Sequence, residues 1–529
     1  MLESPDDGRF ASPDALYLHG KLATMDPALP AAQAMAVCGD RITAVGSDAD
    51  IEGMGGAGTR VVDLEGRLVL PGFNDAHTHQ LSAGSHQLDL NLAGVSSLRE
   101  FQERVQAYAA GLAPGEWIIG AQWDHTLWPE QSFPTREDLD PFSLGHPAYL
   151  ERSDVHAGVA NSAALQAAGV GRETQTPAGG RIGRDAHGEP NGMLLEGARD
   201  LVKRVLPAMS PARRRRALEL AMRESLRHGV TSVQDYSGWD AFLTYEKMQR
   251  EDCLSLRVSQ WLTFRDPLET LLAQRAHHDP RDPWLRTGML KGFLDGSLGS
   301  RTAVLHAPYS DDPGNRGIPQ YEPAELEALA RERARAGFPI GFHAIGDGAV
   351  TLALNAFEAV QAVSRAARHR IEHLQLVAAA DFARMRRLGV VASVQPRHWV
   401  EDERWAWARL GEERYRHAYP WRQFLQRGVP LALGTDYPVA PVNPMLTMAA
   451  AVNRPHQEAL TVAQAVYAYT MGSAIAEGAE AHKGSLTPGK LADFVVLSQD
   501  VTSVSAGEIA AAEAWLTVVG GRIGWQSAD

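Results

Sequence analysis

Cysteine is nearly missing: 529 residues contain two, Cys38 and Cys253. No disulfide framework can hold such a chain, and a reducing compartment is expected. Long apolar runs are missing as well, since none approaches the ~20 residues of a membrane span. The opening MLESPDDGRF lacks the basic start and apolar centre of a secretory signal, so a cytoplasmic protein is the expectation. Positive charge is in deficit. With 51 Lys and Arg against 64 Asp and Glu, the formal net charge is -13, which gives no electrostatic footprint for nucleic acid or an anionic membrane. The basic run Arg213 to Arg216 continues into ALELAMRESL, whose apolar residues recur at helical spacing, so it reads as a solvated helix face. A small-molecule substrate is the expected partner, with a homodimer left open.

What is present is the composition of an ordered globular chain, 44% hydrophobic and 22% charged, with 49 Gly and 30 Pro to make turns. From Gly229 onward short apolar runs alternate with helical or loop stretches: GVTSVQD, LRVSQWL, LKGFLDGS, IGFHAIGD, RIEHLQ, VVASVQP and LALGTDYP. LVLPGFNDAHTH makes eight. Apolar strands separated by amphipathic segments indicate a parallel sheet covered on both faces, and eight units suggest an α/β fold, a (β/α)8 TIM barrel. An open doubly wound sheet is the competing arrangement.

The stretch between His79 and Gly229 is far too long for a βα loop, so a subdomain over about 86–228 is expected as an insertion after barrel strand one. MAVCGDRITAVG and WLTVVGGRIGW each read as a hairpin, one near each end of the chain. With DFVVLS and RVVDLEGRLVL they suggest a small β-sandwich formed from both termini, residues 12–68 and 484–529, beside a barrel domain of 69–483.

His77 and His79 stand two apart at the end of strand one, and an extended chain points such a pair to one face. Chance alone supplies about 0.7 His-x-His pairs from 19 histidines in 529 positions. The pair gains weight from its company. Lys291, His343, His373 and Asp436 fall at other strand ends, where barrel enzymes place their chemistry. Imidazole and carboxylate are ligands for zinc and related divalent ions, and two ions would share this many donors naturally. An ammonium cannot ligate. Desolvation beside cations would expose a neutral Lys291 amine able to take up carbon dioxide as a bridging carbamate; the alternative is an ordinary ammonium paired with Asp295 or Asp436.

The flanking residues carry two readings each. Asp295 either contacts substrate or fixes a loop, and Arg301 either binds a substrate carboxylate or makes a structural ion pair. Trp399, with Trp405 and Trp407, either walls a substrate pocket or packs a helix on the barrel. Asp347, four residues past His343, is a candidate to orient a ligand.

The order His-x-His, Lys, His, His, Asp on strands one, four, five, six and eight resembles the binuclear amidohydrolase superfamily, over nearly the whole chain. LKGFLDGSLGSRTA, FHAIGDGAV, RIEHLQ, ERSDVHAGVANSAAL and LGTDYPV are similar to its YtcJ-like branch, amidohydrolase family 3, which includes N-substituted formamide deformylases. The resemblance implies two divalent ions, with zinc the expected metal. His77, His79 and Asp436 would hold one, His343 and His373 the other, with carboxylated Lys291 and a hydroxide bridging them. Asp436 becomes the proton shuttle in hydrolysis of a non-peptide carbon–nitrogen bond, an N-acyl or N-formyl amine being the expected substrate. His156, in DVHAGVAN, becomes a candidate pocket residue. A mononuclear deaminase of the same superfamily, or a lactone or phosphotriester hydrolase, are the alternatives.

Overall fold

The structure, a computed structural model, describes residues 12–364, 367–455 and 457–528. Its centre is an eight-stranded parallel sheet whose strands pair in chain order. They are Phe73–Thr78, Val230–Asp235, Arg257–Thr263, Leu285–Phe293, Ile340–Ala344, Arg370–His373, Val391–Val394 and Leu431–Leu433. Strand eight returns to strand one through a parallel bridge between Thr78 and Tyr437, and the Asp436 amide donates to the His77 carbonyl at 2.8 Å. The expected (β/α)8 barrel is therefore the observed one. Asp75 stitches the closure: its carboxylate accepts from the amides of His77 (3.2 Å) and Thr435 (2.9 Å) and from the hydroxyls of Thr435 (2.7 Å) and Tyr469 (2.8 Å).

Bulky branched residues usually fill such a barrel. Here part of the interior is polar. Arg370 on strand six reaches across to the Ala76 carbonyl (2.6 Å), Ser393 (2.7 Å), Gln234 and the neighbouring Glu372, tying strands one, two, six and seven together. All these side chains are buried, and a buried guanidinium is tolerated because its donors are met.

Helix Pro211–Arg227 begins where Ser210 caps the Arg213 amide and Pro211 occupies the first turn. Its apolar stripe, Ala217, Leu218, Ala221, Met222 and Leu226, is buried. Its arginines spread to acids around it, Arg213 to Asp89, Arg214 to Asp240 and Arg215 to Glu219. Gly84 lets helix Gln80–His86 lie directly against it, because a Cβ there would fall 1.8 Å from the Ala217 carbonyl oxygen.

Between strands one and two stands a six-stranded sheet running from Leu90–Asn91 to Pro190–Glu196, with a core that includes Trp123, Trp128 and Phe101. Segments from both ends of the chain build two further sheets. One holds the hairpin Ala34–Cys38 with Arg41–Gly46; the other joins the hairpin Ala514–Val519 with Arg522–Gln526 to Phe494–Leu497, Leu68–Pro71 and Lys21–Ala23. The run LVLPGFNDAHTH, read from sequence as one barrel strand, is two: Leu68–Pro71 belongs to the terminal sheet, and the barrel begins at Phe73. The expected boundary between residues 68 and 69 falls inside that first strand. Among the described residues no helix is long and apolar enough to cross a membrane.

Candidate active site

Five strand ends deliver the six groups to one place. His77 ends near the tip of strand one and His79 follows it, Lys291 lies on strand four, His343 on five and His373 on six, while Asp436 follows strand eight. His77, Lys291, His343, His373 and Asp436 are buried, and His79 is the partly open member. The rings of His77 and His373 are 5.1 Å apart and those of His343 and His373 4.4 Å. Asp436 Oδ1 is 3.0 Å from His79 Nε2 and 3.5 Å from His77 Nε2. His373 and Asp436 both have left-handed backbones, φ +75° and +60°. Such conformations cost of order 1–3 kcal/mol each off glycine and persist where the surroundings enforce them, often at functional sites.

Hydrogen-bond chemistry assigns the His77 tautomer. The Lys291 ammonium only donates, and it approaches His77 Nε2 at 2.9 Å, so Nε2 accepts and the ring proton sits on Nδ1. Nδ1 lies 3.0 Å from Glu372 Oε2 without making a hydrogen bond to it. His79 uses Nδ1 on the Tyr236 carbonyl (3.0 Å). Both histidines thus face the cluster with Nε2; His79 is held from behind by the Tyr236 carbonyl, as histidine ligands of metals generally are, and His77 has Glu372 beside its other nitrogen.

Burial dominates the titration of the site. It pushes His77, His343 and His373 well below the ordinary imidazole range, leaving neutral rings with lone pairs. It also lowers Lys291 to about 8, against the pull of Glu372 and Asp436. Asp436 goes the other way: burial raises it, but His77 and His79 outweigh burial and hold the carboxyl well below the carboxylate range.

The flanking candidates divide. His156, from the inserted sheet, comes within 4.9 Å of the His343 ring and bonds Glu196 through Nδ1 at 3.0 Å. Asp295 accepts the amides of Val304 (2.9 Å), Ile345 (3.0 Å) and Gly346 (2.9 Å), the loop-fixing role among its two readings. Arg301 pairs with Asp311 at 2.9 Å, and Trp399 is buried beneath Arg454 with its Nε1 near Tyr415. For both residues, candidates for substrate binding or for a structural role, the structure shows structural partners. Asp347 starts helix Asp347–Gln361 and accepts the His306 amide rather than orienting a histidine ring. Trp405 faces the cluster's smaller cavity, while Trp407 is exposed.

Sequence reasoning missed three participants. Glu372 and Arg370 share the inward face of strand six, and two charges at alternate positions of a buried strand are a legible signal of an interior ion pair. His398 lies in helix Pro396–Asp402 after strand seven, with its ring stacked on His373 at 5.9 Å and 15°. Nothing in its local spacing marks it.

Two cavities meet at the cluster. One of about 690 Å³ is walled by Tyr236, Phe293 and Tyr321 with Arg199, Lys203 and Arg265 around it, and reaches His77, His79, Lys291, His343, His373 and Asp436. A smaller one of about 60 Å³ lies towards Arg152, His398 and Trp405. His156 lines both; Asp295, Arg301 and Trp399 line neither.

Comparison with known proteins gives a consistent relationship. The sequence pattern of the amidohydrolase family matches residues 60–524. The chain is 36% identical to the protein LONG AFTER FAR-RED 3 of Arabidopsis thaliana, over 96% of this chain and 91% of that one. It is 29% identical to the N-substituted formamide deformylase of Arthrobacter pascens, over 97% of this chain and 98% of that one. A metal-dependent hydrolase from Pyrococcus furiosus has a similar structure, with TM-score 0.74 and 29% identity, over 92% of this chain and 100% of that one.

Proposed function

The chain belongs to the amidohydrolase family and is a metal-dependent hydrolase acting on carbon–nitrogen bonds, and we propose that it cleaves N-acyl or N-formyl amines to a carboxylate and an amine. The observation that carries this reading is the convergence of donors on one cavity, some of them with a buried polar atom left unpartnered. His373 Nδ1 and Asp436 Oδ1 are buried and have no hydrogen-bond partner. Burying polar atoms unmet is unfavourable, and a cation between them removes the penalty. The residues fit the group the family implies.

His77, His79 and Asp436 offer donors within 4.8 Å of one another for one divalent ion, and His343 and His373 stand around a second position. Zinc suits these nitrogen and oxygen donors. When bound, the ions lower the pKa of water and polarise a carbonyl oxygen. The chain's own residues do the rest. Asp436 accepts the proton of the attacking water on a carboxylate oxygen and delivers it to the nitrogen of the departing amine. Tyr236, Phe293 and Tyr321 give the amine's substituent an apolar wall and keep bulk water from the reacting carbon.

Lys291 would add through its amine to carbon dioxide: a nitrogen–carbon bond forms as one carbon–oxygen π bond opens onto oxygen, one N–H proton is released, and the carbamate would supply anionic oxygen donors for the ions. Its burial between Trp261 and Phe293 supports this step by making the neutral amine accessible near pH 8.

A panel of N-formyl amines, N-acyl amino acids, cyclic amides, lactones and aryl phosphotriesters tests the substrate class. Turnover of N-formyl or N-acyl amines is expected. Lactone turnover without amide turnover would defeat the proposal.

A further inference from the structure

Beside Asp436 one unmet ligand atom comes from outside the six-residue set. Three buried atoms there have no hydrogen-bond partner: His373 Nδ1, Asp436 Oδ1 and His398 Nε2. His373 Nδ1 and His398 Nε2 are each 3.9 Å from Asp436 Oδ2, and the three residues offer donors within 4.8 Å of one another. Ligands about 2.0–2.2 Å from one zinc ion stand roughly 3–4 Å apart, so the spacing suits a single cation.

The Thr435 backbone stands beside the His398 ring, and Nε2 is the ring atom left buried without a hydrogen-bond partner, 3.9 Å from Asp436 Oδ2. His343 contrasts with this. Its Nε2 is 3.1 Å from the Gly296 carbonyl oxygen and 3.4 Å from Asp295 Oδ1, so that nitrogen is already committed as a donor. A bland role for His398, as an aromatic spacer under the loop, leaves its buried Nε2 unexplained.

We propose that His398 is a metal ligand, completing with His373 and Asp436 the position that the His77, His79 and Asp436 group does not fill. This inference rests on the metal-dependent reading of the site. It carries a structural consequence as well: the segment after strand seven, through His398, is tied to the centre by the ion.

The test is zinc binding to the chelator-stripped full chain, with His398→Asn and His398→Gln beside the wild type. Two ions per chain are expected for the wild type. In both variants one should be lost or weakened by more than about 100-fold, beyond the 10–100-fold typical of residues that only support a ligand. The melting temperature of the metal-free variants reports whether the fold is intact. In case neither variant folds, NMR of the cobalt-loaded wild type, with the His398 ring assigned by selective labelling, gives an independent reading: ligation predicts a hyperfine-shifted His398 resonance. Wild-type zinc affinity in a folded variant, or an unshifted His398 ring, would overturn this inference while leaving the hydrolase reading standing. A wild type that takes no ion would overturn the hydrolase reading itself.

Discussion

His77 Nδ1 lies 3.0 Å from Glu372 Oε2, and neither side chain is exposed to solvent. Glu372 is in turn gripped by Arg370, whose Nε donates to its other oxygen at 2.5 Å. The pair stands behind the ring from inside the barrel, where the Glu372 carboxylate is placed to favour the tautomer that leaves the His77 Nε2 lone pair facing the cluster.

Replacing Glu372 by Gln keeps the shape and removes the charge. Zinc affinity should fall by about 10–100-fold, and loss of Arg370's anionic partner should lower the stability of the metal-free protein by roughly 3–5 kcal/mol. Equilibrium dialysis and urea unfolding measure the two effects separately. Unchanged zinc affinity in folded protein would show that Glu372 serves Arg370 alone.

Lys291 gives a pH dependence with a definite sign. Its ammonium is lowered to about 8 by burial, so the neutral amine that reacts with carbon dioxide grows in as pH rises through that value. Metal-free protein equilibrated with carbon-13 bicarbonate should show a carbamate resonance that strengthens from pH 7 towards 9 and is absent from Lys291→Ala. A resonance that weakened over the same range would reverse the assignment of the amine as the reacting form.

Gly434 precedes Thr435 at the closure of the barrel. A Cβ there would lie 2.7 Å from the His77 backbone nitrogen and 2.8 Å from Asp75 Oδ1. Gly434→Ala therefore pushes strand eight off strand one and carries Asp436 away from His77 and His79. A loss of about 1–3 kcal/mol in stability is expected from overpacking of this kind, with weakened zinc binding. Wild-type stability and affinity together would mean that the closure yields without moving Asp436.

The parts of this molecule that sequence exposes are those set by local pattern. Strands five and six are short runs with a histidine at or next to their C-terminal ends, so His343 and His373 announce their positions as soon as the runs are counted. The break inside LVLPGFNDAHTH is not of that kind. Both halves are apolar and extended, and the change of sheet depends on distant partners: Val69 pairs with Val496 while Phe73 pairs with Val230. The same holds for the flanking residues. Arg301 could serve a substrate or an ion pair until Asp311 is seen beside it, and Asp295 until three loop amides converge on its carboxylate. His398 belongs to a helix whose packing over the barrel mouth, rather than its own sequence, brings the ring to His373.

The central claim is that ions held by this donor set make the chain an amide hydrolase. It is tested most directly by measuring N-formyl and N-acyl amine hydrolysis and ion content on the same samples, before and after chelation and after zinc is restored. Activity that falls with the ions and returns with them is the predicted result. Full amide hydrolysis by protein shown to be metal-free would contradict the account.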